Sequence, residues 1–406
     1  MRSLLWHAKQ FRTVQEPISR KASVLARMNQ LYGRAPVCPA WLKHLELDDQ
    51  RFQSYLDEKM SETNPDATPG VPYVKLGPKT GSVLRHHYHY IRSRVEERLR
   101  LLKSTDVTKM TAIELVEHNL CDPVRVFVKQ EPHKKTKLIL GRQRLISSVS
   151  LVDNIVERVL HSLLNKHWVS VWDKIPAKPG IGFQDRDVNV IRDNVGSMED
   201  PAALDASHFD WSVNGFYFDW DADFRSEQLC LRKDDALNVA LHNRAYCLSL
   251  SVFQCSNGTL VEQVDRGIQL SGSYTTSSSN SNIRNMASLL VDIDGHPISM
   301  GDDGLDSMYN VDAPKIYYDV CGFNVKMYER INKGNFEFCS HLYTPNNCYG
   351  LNIEKALMNL VHQDFNGYSD HEQAKFAFLV GFQDEMGTNP LFPEVVKVLE
   401  CVGWYA

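Results

Sequence analysis

The sequence predicts an α+β protein built around an antiparallel sheet, on three observations. Ser150–Trp168 carries a long helical pattern in which Leu151, Ile155, Val159, Leu163 and Leu164 share one face. The second half alternates short apolar runs with helical ones. Within it, Pro297–Met300 and Leu305–Tyr309 flank Gly301-Asp302-Asp303-Gly304. Two short runs joined by residues that tolerate tight turns are the signature of a hairpin.

In chain order, helices are expected at Ala22–Tyr32 and Leu45–Lys59. Ser61–Ser82 holds Asn64-Pro65, Thr68-Pro69-Gly70 and Gly77-Pro78, which punctuate regular structure and predict an ordered loop or extended connector. A charged helix follows at Ile91–Arg100, and Val124–Val128 alternates like a strand. Ile175–Gly182 is a Pro/Gly-rich loop. Ala202–Leu204 is a strand candidate ending in Asp205, and Asn280–Val291 a helix candidate preceded by the small-residue run Ser271–Ser279.

Composition narrows the function classes. The 406 residues are 43% hydrophobic and 23% charged, enough apolar mass for a substantial core and too little charge imbalance for global disorder. No apolar run approaches the roughly 18 residues that span a bilayer. The apolar part of Met1–Lys9 is too short for a secretory signal. Nine cysteines without a Cys-x-x-Cys pair do not read as a disulfide framework or zinc ribbon, so a reducing, cytosolic compartment is expected.

The net charge of −5 hides an asymmetry. Arg125–Arg144 holds seven Lys/Arg and one acid, Glu131. Pro201–Arg225 holds five Asp against one Arg, and Val291–Asp312 six Asp with no Lys or Arg. Solvated surface would explain one such run. Three that also carry motifs point to an anionic substrate and divalent cations meeting in one site.

Asp205, Asp302 and Asp303 are the candidate metal carboxylates. Gly-Asp-Asp alone is weak, because Asp and Gly are ordinary turn residues. Its chemistry nevertheless suits Mg²⁺, which prefers hard oxygen ligands and takes one or two carboxylates plus substrate phosphates. Two such ions about 3.5–4 Å apart can activate a hydroxyl and stabilise a departing pyrophosphate. Asp210 lies beyond a turn from Asp205, so a different task is expected for it. In Ser271-Gly272-Ser273-Tyr274-Thr275-Thr276-Ser277-Ser278-Ser279-Asn280, a Ser/Thr linker is the plain reading, but a helix follows at once. Thr276 and Asn280, four apart, would share a helical face able to read a ribose.

This ordered set, Asp205-x4-Asp210, Ser271-Gly272-x3-Thr276-x3-Asn280 and Gly301-Asp302-Asp303, resembles the palm of RNA-dependent RNA polymerases of positive-strand RNA viruses, in particular the sobemovirus, polerovirus and barnavirus group. Val128-Lys129-Gln130-Glu131-Pro132-His133-Lys134, Gly141–Ser150 and Leu151–Arg158 are similar to that group's fingers, and Phe336–His341 to its primer-grip hairpin. The likeness runs from about Thr68 to Tyr343; neither the first sixty or so residues nor the tail match by eye.

The resemblance implies a right hand of fingers, palm and short thumb, closed by fingers-tip contacts. It divides the chain into an N-terminal extension and fingers (1–200), palm (201–225), a fingers/palm connection (226–264), palm again (265–345) and thumb (346–406). It also implies a chain cut from a polyprotein or carrying a minimal thumb, with no protease domain. Asp205 and Asp302 would bind both metals, Asp303 would assist, and the Ala206 carbonyl would contribute. The cofactor would be Mg²⁺, with Mn²⁺ able to substitute. Asp210 with Asn280, Ser271, Gly272 and Thr276 would sense the 2′-hydroxyl. Lys129, Lys137, Arg142 and Arg144 would line the NTP channel, Arg144 taking the triphosphate because a guanidinium bridges phosphate oxygens bidentately. His133 stands where many relatives carry Arg. Glu131 would orient neighbouring cations.

The helix-Gly-strand pattern Tyr317–Lys326 makes Lys326 the candidate general acid, with Lys315 and Lys333 as alternatives. Expected partners are a single-stranded RNA template, nascent RNA and NTPs, with a genome-linked protein primer and other viral replication proteins beside them. The expected place is the host cytoplasm, in membrane-associated replication complexes. Ser207, Asp210 and the Gly before the Asp pair favour RNA synthesis over reverse transcription. A non-catalytic RNA-binding protein would leave the carboxylates unexplained. His86-His87-Tyr88-His89 lacks a Cys or acidic partner at zinc-ligand spacing, and Gly180-Ile181-Gly182 lacks the third glycine of a dinucleotide loop.

Overall fold

A computed structural model describes residues 1–129, 131, 133, 135–363 and 370–404. Gln130, Pro132 and Lys134 of the basic segment, and 364–369 of the expected thumb, lie outside the described residues. The described chain is a mixed α+β fold with three small sheets.

The sheet that carries the carboxylates has four antiparallel strands in the order β6-β7-β3-β8, where β3 is Ala202–Ser207, β6 Ile298–Met300, β7 Asp303–Asp306 and β8 Asn324–Arg330. Its two faces are buried differently. Leu204 packs into the main core, whereas Ala203, Leu305 and Ile298 belong to a second core with Val188, Ile191, Phe336 and Tyr343. Because strand side chains alternate, Asp205 emerges on the Ala203 face and Asp303 on the Leu305 face, which is the same one.

The second sheet, β2-β1-β4-β5, joins β1 (Val124–Val128) to β2 (Leu145–Ser148) antiparallel and to β4 (Val252–Gln254) parallel, with β5 (Leu260–Glu262) at its edge. The basic segment connects β1 to β2 as a loop that includes a short helix, Lys135–Leu140. A third sheet of β9 (Phe336–Phe338), β10 (His341–Tyr343) and β11 (Cys348–Gly350) leads to the C-terminal helices.

The long helix observed over Leu151–Ser170 is capped by the Ser150 hydroxyl, which accepts from Asp153 N. It is buried on nearly every side, and its acids need partners there. Asp153 pairs with Arg98 and with Arg244 at 3.1 Å; Glu157 pairs with Arg244 at 2.6 Å. Removing one member of such a buried set costs about 3–5 kcal/mol, because a charge is left uncompensated.

Four sequence expectations need correction. The strand at Ala202 runs on to Ser207, so Asp205 is not its last residue. The helix expected at Asn280 starts at Thr276, because Ser278, Ser279 and Ser281 are buried and hydrogen-bonded rather than solvated. The second hairpin strand begins at Asp303 itself, leaving only Gly301 and Asp302 in the turn. The charged helix around Ile91–Arg100 is part of a longer one, Thr80–Leu102, kinked at His87.

Candidate active site

Gly301 has φ +64 and nothing within 4 Å of where a Cβ would stand, so glycine is needed there for conformation, not for space. Met300 pairs with Asp303 across the turn. On the other side of β7, Leu204 pairs with Gly304, so Asp205 and Asp303 stand opposite each other one step beyond. The register thus brings Asp205, Asp302 and Asp303 to one end of one sheet. The carboxyl of Asp303 is pushed up to about 6 by burial and by the charges of Asp302 and Asp205.

The back of this hairpin is held by the helix Thr276–Val291. Ser281 Oγ accepts from Gly301 N at 2.8 Å, and Arg284 donates to Gly304 O at 3.3 Å and Asp306 Oδ1 at 3.2 Å. A side chain at Gly304 would collide with Arg284, which explains the second glycine of the motif.

Between Asp205 and Ala206 the pairing of β3 with β8 slips: Asp205 faces Met327, whereas Ala206 faces Val325. Lys326 is the unpaired extra residue, and such a bulge re-aims a side chain. Its ammonium is ion-paired with Asp205 Oδ2. Neither Lys315 nor Lys333 shares this contact; Lys333 donates to Gly196 O and Met198 O.

Asp210 sits on the short helix Phe209–Ser212, after a left-handed residue, His208. Asn280 Nδ2 donates to Asp210 Oδ1 at 2.8 Å, and Asn280 Oδ1 is buried without a partner. Burial and the charge of Asp302 push the Asp210 carboxyl up to about 6, against the Asn280 hydrogen bond and the charge of Arg144. The expected pair is therefore formed, near enough to Asp302 and Arg144 to feel both charges.

The other loop residues are engaged differently. Ser271 Oγ accepts from Ser147 N at 3.1 Å, and the Thr276 hydroxyl lies 2.6 Å from Leu270 O. Gly272 N donates to Ser147 O at 3.0 Å, and a Cβ on Gly272 would overlap that carbonyl. These groups clamp the loop to β2. Glu157, on the long helix, accepts from Ser273 Oγ at 2.6 Å and Tyr274 N at 2.7 Å.

The four cations fall into two groups. Lys129 and Arg144 share Glu131, at 3.2 and 3.5 Å. Lys355, from the helix Ile353–Val361, reaches the same carboxylate at 3.4 Å. Burial, which would raise the pKa of Glu131, is outweighed by the Lys129 hydrogen bond and these charges, leaving the carboxyl below its ordinary value. Lys137 and Arg142 lie instead near His208, which burial, His7, Lys137 and Arg142 together push down to about 4. Arg142 also covers the Trp6 ring at 5.0 Å.

Three further neighbours surround the site, the first from the hairpin expected at Phe336–His341 and the other two missed by sequence reasoning. Cys339 and Ser340, both at positive φ, form the tip of the β9–β10 hairpin, and the Cys339 thiol is pushed up by burial and by Asp303 and Asp302. Lys355 joins the C-terminal helices to the basic loop. The helix Arg2–Ala8 packs on that loop as well. Neither Lys355 nor the Arg2–Ala8 helix has a local signal, since each acts only through a distant contact.

Among the described residues no three His, Cys, Asp or Glu side chains converge tightly enough to enclose an ion. The donor set still fits Mg²⁺, which takes one or two carboxylates and completes its shell with water and phosphate. No described helix is long and apolar enough to cross a membrane.

The sequence profile of the viral RNA-directed RNA polymerase family matches residues 10–190 and 193–362. The chain belongs to that family. It is 38% identical over 334 residues to the replicase polyprotein P2AB of Southern bean mosaic virus, covering 77% of this chain and 33% of that protein. It is 36% identical over 348 residues to protein P1-P2 of Potato leafroll virus, covering 81% of this chain and 32% of that protein. With the RNA-directed RNA polymerase of Mushroom bacilliform virus it shares 35% identity over 293 residues, 68% of this chain and 69% of that one. The chain thus spans about a third of the replicase polyproteins it matches. The profile takes in most of the first sixty residues and continues past Tyr343, beyond the stretch over which the sequence motifs resemble the family.

Proposed function

We propose that this chain carries out template-directed RNA synthesis by two-metal nucleotidyl transfer, copying the genome of a positive-strand RNA virus. The observation that carries this reading is the register that sets Asp205 opposite Asp303, with Asp302 at the turn and the Asp210–Asn280 pair beside them. Family membership supports the polymerase class.

In this reading Asp205 and Asp302, with Asp303 and the Ala206 carbonyl, hold Mg²⁺ or Mn²⁺. Bound there, the ions supply activation of the 3′-hydroxyl and neutralisation of the triphosphate. Arg144 and Lys129, fixed by Glu131, grip the triphosphate; Lys137 and Arg142 extend the cationic wall. Asp210 and Asn280 test the 2′-hydroxyl. A site built to bond a hydroxyl rejects the analogue lacking it, because its polar groups are left unpaired. Ser271, Gly272 and Thr276 set the shape of the loop that presents Asn280. Lys326 protonates the departing pyrophosphate. Most of the rate comes from positioning and charge neutralisation.

The division into N-terminal extension and fingers (1–200), palm (201–225 and 265–345), a fingers/palm connection (226–264) and thumb (346–406) belongs to the same proposal. So do the partners: single-stranded template, nascent RNA, NTPs, a genome-linked protein primer and other replication proteins, in membrane-associated complexes of the host cytoplasm.

The test is incorporation of labelled NTP on a single-stranded RNA template with Mg²⁺ or Mn²⁺, beside the Asp302→Ala/Asp303→Ala variant. Incorporation by the unsubstituted chain alone supports the reading. Equal signal from both, or extension with dNTPs in place of NTPs, overturns it.

A further inference from the structure

Residues 2–8 precede the segment matched by the family profile, yet they touch both sides of the candidate NTP site. Ser3 Oγ lies 2.8 Å from Gly141 O and 2.5 Å from Gln143 Oε1. His7 Nε2 is 2.9 Å from Gln143 O, and a carbonyl can only accept, so this nitrogen carries the proton. Gly141 has φ +66, and a Cβ there would run into the Arg2 side chain at 2.8 Å. These contacts fix the backbone on either side of Arg142, one residue from Arg144.

The same helix, through Trp6 and His7, also meets the turn that follows Asp205. The His7 ring stacks on Trp211 at 5.0 Å, and Trp6 meets His208 edge-on at 4.7 Å. Asp210 lies between His208 and Trp211 in the chain. His7 Nδ1 is buried with no partner, so a second proton on the ring would be unsatisfied. The neutral Nε2–H form is the one that fits both contacts. Downstream, Asn324 donates to Gln10 O at 3.1 Å, close to Lys326 in sequence.

We infer that the Arg2–Ala8 helix is a positioning strap that ties the Arg142–Arg144 loop to the Asp210 turn, with His7 as its central positioning residue. Its consequence for NTP binding rests on the polymerase reading; the tie itself does not. A loop held by two or three hydrogen bonds and a ring stack presents its arginines at less conformational cost than a free one.

The test uses the full chain with His7→Phe, which keeps a ring against Trp211 and removes the hydrogen bond, with Ser3→Ala/His7→Phe, and with His7→Gln, which restores an N–H donor. Two readouts are taken. In the first, tryptic cleavage after Arg142 and Arg144 in Ser3→Ala/His7→Phe is expected to rise about fivefold, the effect of losing roughly one hydrogen bond, while cleavage elsewhere is unchanged. In the second, KM for NTP is expected to rise about fivefold with kcat within about twofold, the pattern of lost ground-state binding. His7→Gln should recover most of both.

Unchanged cleavage at Arg142 and Arg144 overturns the strap. Increased cleavage everywhere, with a lowered melting temperature in all variants, also overturns it, since that is a general packing defect. If the unsubstituted chain incorporates no NTP, the polymerase reading falls, while the cleavage readout still decides the strap.

Discussion

Lys326 and Asp205 are joined by an ion pair across a break in strand register, and the break is what makes the pair. In an unbroken ladder with Asp205 facing Met327, Lys326 would face Ala206 and alternate to the other side of the sheet. The bulge shifts it by one and turns it toward the carboxylates. In the proposed reading Asp205 would hold metal, and Lys326 paired with it would be both a stand-in for positive charge and a proton donor within reach of the reaction.

Lys326→Leu is therefore expected to lower the single-turnover rate by about 100-fold, the low end of what a general acid contributes. Lys326→Arg should keep the charge but deliver a proton poorly. Rapid-quench kinetics in H₂O and D₂O measure this. An unchanged rate with an unchanged solvent isotope effect removes Lys326 from the mechanism.

Asp210 is a carboxyl whose pKa is raised on folding, to about 6, chiefly by burial. The folded chain then holds its proton more tightly than the unfolded chain. The associated stability is present below the ordinary carboxylate range and is lost as pH rises toward and past about 6. Asp210→Asn removes the buried charge and is expected to stabilise the protein by about 1–2 kcal/mol at pH 8, and by close to nothing at pH 4. Urea unfolding at the two pH values is the check. The same variant should lose about 10- to 100-fold in discrimination between NTP and dNTP.

Two glycines should lose different amounts of stability on substitution by alanine. At Gly272 a methyl group overlaps the Ser147 carbonyl, so β2 or the loop must move, costing about 2 kcal/mol or more and displacing Arg144. At Gly301 the space is open and only the positive φ is strained, costing about 1 kcal/mol. Denaturant midpoints of the two variants, measured side by side, test the order. Equal losses would contradict the contact geometry.

Glu131→Gln frees Lys129, Arg144 and Lys355 together. These cations are 39%, 59% and 43% exposed, so water takes over and stability should change by less than about 1 kcal/mol. KM for NTP should nonetheless rise about threefold, because Arg144 loses the group that orients it. A melting curve and initial rates at varied NTP separate the two effects. A large stability loss with no change in KM would make Glu131 purely structural.

Much of this arrangement is legible in the chain itself. Strand β1 falls on Val124–Val128 as its alternation indicates, and the long helix differs from its apolar stripe by only one residue at its start and two at its end. The hairpin at Gly301 and the turn after Asp205 follow from residue type. Ser271–Ser279 was harder to read. Serine and threonine have weak helix propensity, and Thr276–Ser279 became helical because Arg225 and Asp221 supply partners for Ser278 and Ser279.

What the sequence by itself determined is the chemistry: which carboxylates, amides and cations exist, in what order, and the family they belong to. Those are properties of single residues and short spacings. Only the tertiary structure decided which of them meet. The register of β3 with β7 sets Asp205 against Asp303, the slip against β8 selects Lys326 over Lys333, and the Arg2–Ala8 helix reaches Gln143 across more than 130 residues. Pairing register and long-range docking depend on how whole faces bury their apolar area at once. No local pattern carries that information.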